Sequence, residues 1–146
     1  MNKTIASLLA AAALTLGALP VQAQQTGSLL VEFQGPGGHS NGAYGRTSAV
    51  HAAGRTLAQL KAAGLPAGAY SVSGLNGGNS VNSIASDARY TVSLTAPDAA
   101  AWQALAARVT TAVQAGVAAE NSFRGVKEGD LVGGVPAAIR YTITPR

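Results

Sequence analysis

One histidine and three asparagines stand where glycine leaves the backbone open to a neighbouring molecule. His39 follows Gly37-Gly38 and precedes Ser40, while Asn76, Asn79 and Asn82 recur through Asn76-Gly77-Gly78-Asn79-Ser80-Val81-Asn82. A neutral imidazole and a carboxamide can each donate a hydrogen bond to a carbonyl oxygen or an oxyanion. Glycine beside them lets a ligand approach the main chain closely. Gly and Asn are also what tight turns require for backbone reasons alone, so composition leaves a turn reading beside the binding reading. His51 sits inside a helical pattern and reads as a structural or surface residue. Zinc hydrolysis needs several His, Asp, Glu or Cys ligands and a general base. Two His, six acids and no Cys, with no His-x-Asp and no Glu-Glu pair, do not assemble a dinuclear site. The chain therefore reads as non-catalytic by itself, with no cofactor.

Hydrophobic periodicity indicates what must hold these residues. Ser28 to Gln34 alternates, with Leu29, Val31 and Phe33 on one face, and Gly35-Pro36-Gly37-Gly38 breaks it. From about Ser48 to Ala63, Val50, Ala53, Leu57 and Leu60 recur at helical spacing, and Gly64 and Pro66 end the pattern. Gly68 to Ser73 is a short strand carrying Tyr70 and Val72, and Arg89 to Thr95 is a third carrying Tyr90, Val92 and Leu94. Thr95-Ala96-Pro97-Asp98 reads as a helix start with a Thr cap. The helix follows through Trp102, Leu105, Val109, Val113 and Val117 to about Glu120. Ala138 to Thr144 is the last strand, with Ile139, Tyr141 and Ile143 on one face. The order β-α-β-β-α-β predicts an α+β fold of the ferredoxin-like kind, a two-layer sandwich of a four-stranded antiparallel sheet with both helices on one face. Right-handed crossovers then gather three Gly-rich and polar loops, 35–47, 74–87 and 121–136, at one end, where binding residues tend to lie.

The N-terminus bounds the compartment. Met1-Asn2-Lys3 is short and basic, Ile5 to Leu19 is apolar, and Val21-Gln22-Ala23 is small at the positions a signal peptidase reads. This predicts a signal peptide at 1–23, cleavage after Ala23, and export to the periplasm or beyond. The stretch is short for a membrane span, and no membrane association is expected after cleavage. The remainder, residues 24–146, suits one domain. Without cysteine, an exported chain must rely on burial and self-association. Loss of Lys3 lowers the formal charge of +4 to +3. The basic residues are scattered and form no stripe with aromatics, which argues against nucleic acid.

Gly37-Gly38-His39-Ser40 ahead of the helix at Ala49-Val50-His51-Ala52-Ala53, and Gly77-Gly78-Asn79-Ser80-Val81-Asn82-Ser83-Ile84 further on, resemble two segments of one domain. That domain is the lid or dimerisation domain of the zinc metallopeptidase superfamily of aminoacylase, glutamate carboxypeptidase and succinyl-diaminopimelate desuccinylase. The resemblance spans roughly Ser28 to Ile143, here without the catalytic domain. It implies a homodimer contact, a His that reaches the partner subunit's active site, matched by His39, and a substrate-contacting Asn, matched by Asn82. Gly38 and Asn79 share those segments. Two departures weaken a catalytic role: Ala85 stands where the family has Pro, and Leu94 is followed by Thr95 rather than an Arg.

Four readings remain open. The chain is a self-associating module that binds a small ligand or peptide, with the second strand as an open edge that forms the homodimer with the first helix. Or it is an accessory subunit that donates His39 in trans to a separate exported zinc peptidase. Or it is a peptidase inhibitor or propeptide-like module. Or it is a gene remnant.

Overall fold

The computed structural model describes residues 23–146, so the expected leader, apart from Ala23, lies outside the described residues. The elements in chain order are β1 Gln25–Gln34, β2 Gly38–His39, α1 Ser40–Ala43, α2 Ala49–Ala62, β3 Tyr70–Gly77, β4 Ser83–Ile84 and β5 Asp87–Ala96. After them come α3 Ala99–Phe123, β6 Leu131–Val132, β7 Val135–Pro136 and β8 Arg140–Pro145. Four strands form an antiparallel sheet in the order β3-β5-β1-β8. With the two long helices on one face, this is the expected α+β sandwich, and the expected edge strand is β3.

Alternation builds the sheet's inner face. Leu29, Val31 and Phe33 of β1 meet Ala88, Tyr90, Val92, Leu94 and Ala96 of β5, all buried in one core with Leu60 of α2 and Leu105, Val109, Val113 and Val117 of α3. Tyr90 is the largest of the fully buried side chains. Its phenol is paired with the Thr56 hydroxyl at 2.8 Å, and burial pushes it up to about 12. The opposite face carries Glu32, Gln34, Arg89, Ser93, Arg140 and Thr142, all exposed. No helix among the described residues is long and apolar enough to cross a membrane.

The helices differ from the sequence expectation in two details. Val50 fits the apolar stripe expected of α2, yet it is exposed, and the buried stripe is Ala49, Ala52, Ala53, Thr56 and Leu60. Small side chains face inward because α3 comes very close. A Cβ on Gly116 would lie 2.4 Å from the Thr56 Cα. The helix cap expected at Thr95 is instead Asp98, whose carboxylate accepts from Ala101 N at 2.7 Å. Thr95 belongs to β5, and its N–H bonds Ala69 O at 2.9 Å. The sheet competes for Thr95, so the next residue able to cap starts the helix. The strand expected to end at Ser73 continues to Gly77 through an irregularity between Ser73 and Asn76, with Gly74 at φ 65. This is the geometry of a bulge, with one extra residue on the edge strand.

The contact at Gly116 gives a stability test. Gly116→Ala should lower the unfolding free energy by about 1–3 kcal/mol, because overpacking against the Thr56 main chain outweighs the better helix propensity of Ala. Urea unfolding followed by circular dichroism would read this as a lower midpoint.

Candidate functional site

The three Gly-rich connections meet at one end of the sandwich, and main-chain bonds join them. Gly35 N donates to Ser86 O at 2.8 Å and Ala49 N to Ala85 O at 3.0 Å, tying the first loop to the second. Thr47, fully buried, donates its hydroxyl to Ala137 O, immediately after the third. Asn121 holds Ile139 through both carboxamide atoms, accepting from Ile139 N at 2.8 Å and donating to Ile139 O at 3.3 Å. Ala85, at the position of the family's Pro, is buried and supplies the carbonyl that receives the first amide of α2.

The two Gly-containing segments pair directly. β2 and β4 form a short ladder, Gly38 with Ile84 and His39 with Ser83, and Ser40 N donates to Asn82 O at 2.9 Å. Glycine is required twice here for lack of room. A Cβ on Gly38, whose φ is 139°, would lie 2.6 Å from the Ala43 Cβ, and one on Gly77 would lie 2.6 Å from Asp87 O. Packing between loops therefore accounts for these glycines before any ligand is invoked.

His39 and Asn82 come within hydrogen-bond reach. His39 Nδ1 accepts from Asn41 N at 3.2 Å, so a neutral ring carries its proton on Nε2. That proton faces the Asn82 carboxamide at 3.1 Å, and the other end of the carboxamide lies against the Ser80 hydroxyl. The structure sets Asn82 Nδ2 against the ring and Oδ1 against the Ser80 hydroxyl, so a protonated Nε2 requires the carboxamide turned over, with its oxygen to the ring and its NH2 to Ser80. All three side chains are exposed or partly exposed. Arg46 stands beside them, donating to Gly37 O at 3.1 Å. A cleft of about 440 Å³ opens between Tyr44–Arg46, the start of α2 and the second loop. His39 and Asn82 lie outside the lining of that cleft and pair with each other, so a carbonyl or carboxylate would take the imidazole N–H by displacing the Asn82 carboxamide, with the Arg46 guanidinium beside it. The group holds no base beside a nucleophile, and among the described residues no three His, Asp or Glu side chains sit together to hold a metal ion.

The other Asn candidates separate from this group. Asn79 accepts from Ser83 Oγ at 3.2 Å and braces its own loop. Asn76 pairs with Arg89 in the sheet register and lines a 620 Å³ hollow on the open face with Glu32, Asp87 and Arg140. The largest omission from the sequence reading is Glu120. Wholly buried, its carboxylate accepts from Ser48 N at 3.2 Å, Arg55 Nε at 2.8 Å and Arg124 Nε at 3.3 Å, so it fastens α3 to the start of α2 beneath the loops. The Glu120–Arg124 spacing of four is the visible signal. An expected helix end near Glu120 hides it, since the helix runs on to Phe123.

A family model described as the peptidase dimerisation domain matches residues 25–120. The chain belongs to the peptidase dimerisation domain family. No curated protein matches the chain significantly in sequence. Among solved structures, a hydantoinase/carbamoylase family amidase from Burkholderia ambifaria superposes with a TM-score of 0.65 at 20% identity, covering 86% of this chain and 28% of that one. Aminobenzoyl-glutamate utilization protein from Klebsiella pneumoniae gives 0.62 at 22% identity, covering 84% and 28%. At such identity the likeness concerns the fold, and this dimerisation domain spans under a third of either protein. The expected family resemblance and fold are thus observed.

The paired His39 and Asn82 give a spectroscopic test. Nitrogen-15 NMR of the imidazole at a pH where it is neutral should show the Nε2–H form dominant at His39. Asn82→Ala should shift His39 Nε2 while leaving the buried core signals in place. A dominant Nδ1–H form would contradict donation from Asn41 N to Nδ1 and from Nε2 to Asn82.

Proposed function

We propose that this dimerisation domain is an exported, non-catalytic protein that self-associates and presents His39 and Asn82 as a hydrogen-bonding site for a carbonyl or carboxylate. The observation that carries self-association is the open edge at β3. Its residues Ser71–Asn76 are exposed, with Val72 and Leu75 among them, although both are large and apolar. Val72 lies on the helix side of the sheet, opposite buried Val92, and Leu57 of α2 is only partly buried nearby in that layer. A second copy adding its own β3 about a two-fold axis would satisfy the free backbone groups and cover these side chains. The bulge at Gly74 turns the strand beyond Ser73, which leaves Tyr70–Ser73 as the stretch fit to pair. The family's printed description, a dimerisation domain, supports the same reading. Export rests on the basic, apolar and small residues in order from Met1 to Ala23.

A second reading, donation of His39 in trans to a separate exported zinc hydrolase, is favoured by one observation. Tyr44, Val81, Leu131 and Val135, each on one of the three joined loops, are exposed apolar side chains around the end that carries His39. Such surface is what a partner would cover.

Both readings meet in one preparation. Protein recovered from the exported fraction should begin at Gln24 by mass spectrometry and run as a dimer by light scattering. Val72→Lys should give a folded monomer. A wild-type monomer across micromolar concentrations would remove the self-association reading. Capture of a zinc hydrolase that is lost in a Tyr44→Ser, Val81→Ser double variant would favour the second.

A further inference from the structure

We propose that the groove between α2 and the end of α3 binds an organic carboxylate carried on an apolar body. Two guanidinium groups are pinned there from beneath. Glu120, with no exposure, takes the Nε edge of Arg55 and the Nε edge of Arg124. Arg124 spends one further group, Nη2, on His51 Nδ1 at 3.2 Å. The Nη groups of Arg55 have no protein partner among the described residues. One carboxylate stands against two guanidiniums, so the cluster keeps an excess positive charge with donors facing outward. A side chain held at Nε loses little further freedom when its Nη edge is used, which favours binding. A guanidinium edge offers parallel N–H groups that match the two oxygens of a carboxylate.

The walls of the groove are apolar. Phe123 is 66% exposed and lies 4.6 Å from the Arg55 guanidinium and 5.0 Å from that of Arg124. Val50, Gly54 and Ala58 form the floor along α2, and the shallow, widely open groove offers about 650 Å³. That is a size suited to a small organic molecule or a chain terminus. A bare inorganic anion would leave the floor and Phe123 wet, and a neutral apolar solute would leave the guanidiniums unused. A carboxylate with an apolar tail uses both. The groove contains no residue of β3, which packs against α2 and makes no contact with α3, so the site does not include the strand edge proposed for self-association, although its floor shares α2 with the expected dimer contact.

The test is a titration of the whole protein followed by NMR signals of the Phe123 ring and the arginine Nε groups. Hexanoate should bind about tenfold or more tighter than hexanamide. Ala58→Leu fills the floor from an exposed helix position without touching the ion cluster, and Arg55→Lys keeps a charge beside Glu120. Each should weaken hexanoate about tenfold. An apolar tripeptide with a free C-terminus, compared with its amidated form, identifies the source. Discrimination between the two supports a chain terminus as the natural ligand, and binding of hexanoate alone supports a free organic acid. Equal affinity for hexanoate and hexanamide, unchanged hexanoate binding in Ala58→Leu, or no shift at Phe123 would overturn the proposal, whatever the oligomeric state.

Discussion

A four-stranded open sheet leaves two rows of backbone donors and acceptors without partners, and a protein must either blunt them, cover them or use them. At one edge of this fold, β8 is only six residues long. At the other, β3 is longer and carries Val72 and Leu75 into solvent. The chain has no disulfide to supplement a modest core. The edge at β3 is thus both the main exposure of the fold and its main opportunity. The bulge at Gly74 confines that opportunity to a short regular stretch.

The loop end is governed by a second constraint, the satisfaction of buried polar groups. Glu120 cannot be buried as a charge without strong donors, and it finds them in Ser48 N, Arg55 and Arg124. Thr47 finds Ala137 O. These bonds fix where α2 begins, and the start of α2 fixes the loop that carries Gly38 and His39. The short β2–β4 ladder then sets Asn82 against His39. Positioning of the exposed pair thus descends from buried electrostatics through main-chain geometry. The glycines within it are there because Ala43 and Asp87 leave no room for a side chain.

Much of this is legible in the sequence. Period-two alternation in Leu29-Val31-Phe33 and Tyr90-Val92-Leu94 marks the inner face, and the element order implies the strand order and the edge. The meeting of His39 and Asn82 at one end follows from topology and from the two glycine motifs. What the sequence conceals depends on distances between elements. Val50 fits the helical period, but the close approach of Gly116 to Thr56 favours an inward face of alanines. Thr95 has the chemistry of a cap, but the sheet claims it. Asn76 shares a motif with Asn82, but the continuation of β3 carries it to the sheet's open face. Glu120 looks like a terminal charge, because nothing local in sequence shows that Arg55, far along the chain, will help to bury it.

If β3 is a pairing edge, its outward amides must be sheltered only while two copies are together. Amide hydrogen exchange of the whole protein at high and low concentration reads this residue by residue. The outward amides of Tyr70–Ser73 should be protected at high concentration and lose that protection on dilution, while amides of β8 stay the same. Fast exchange of Tyr70–Ser73 at every concentration, with the core still protected, would contradict pairing at this edge.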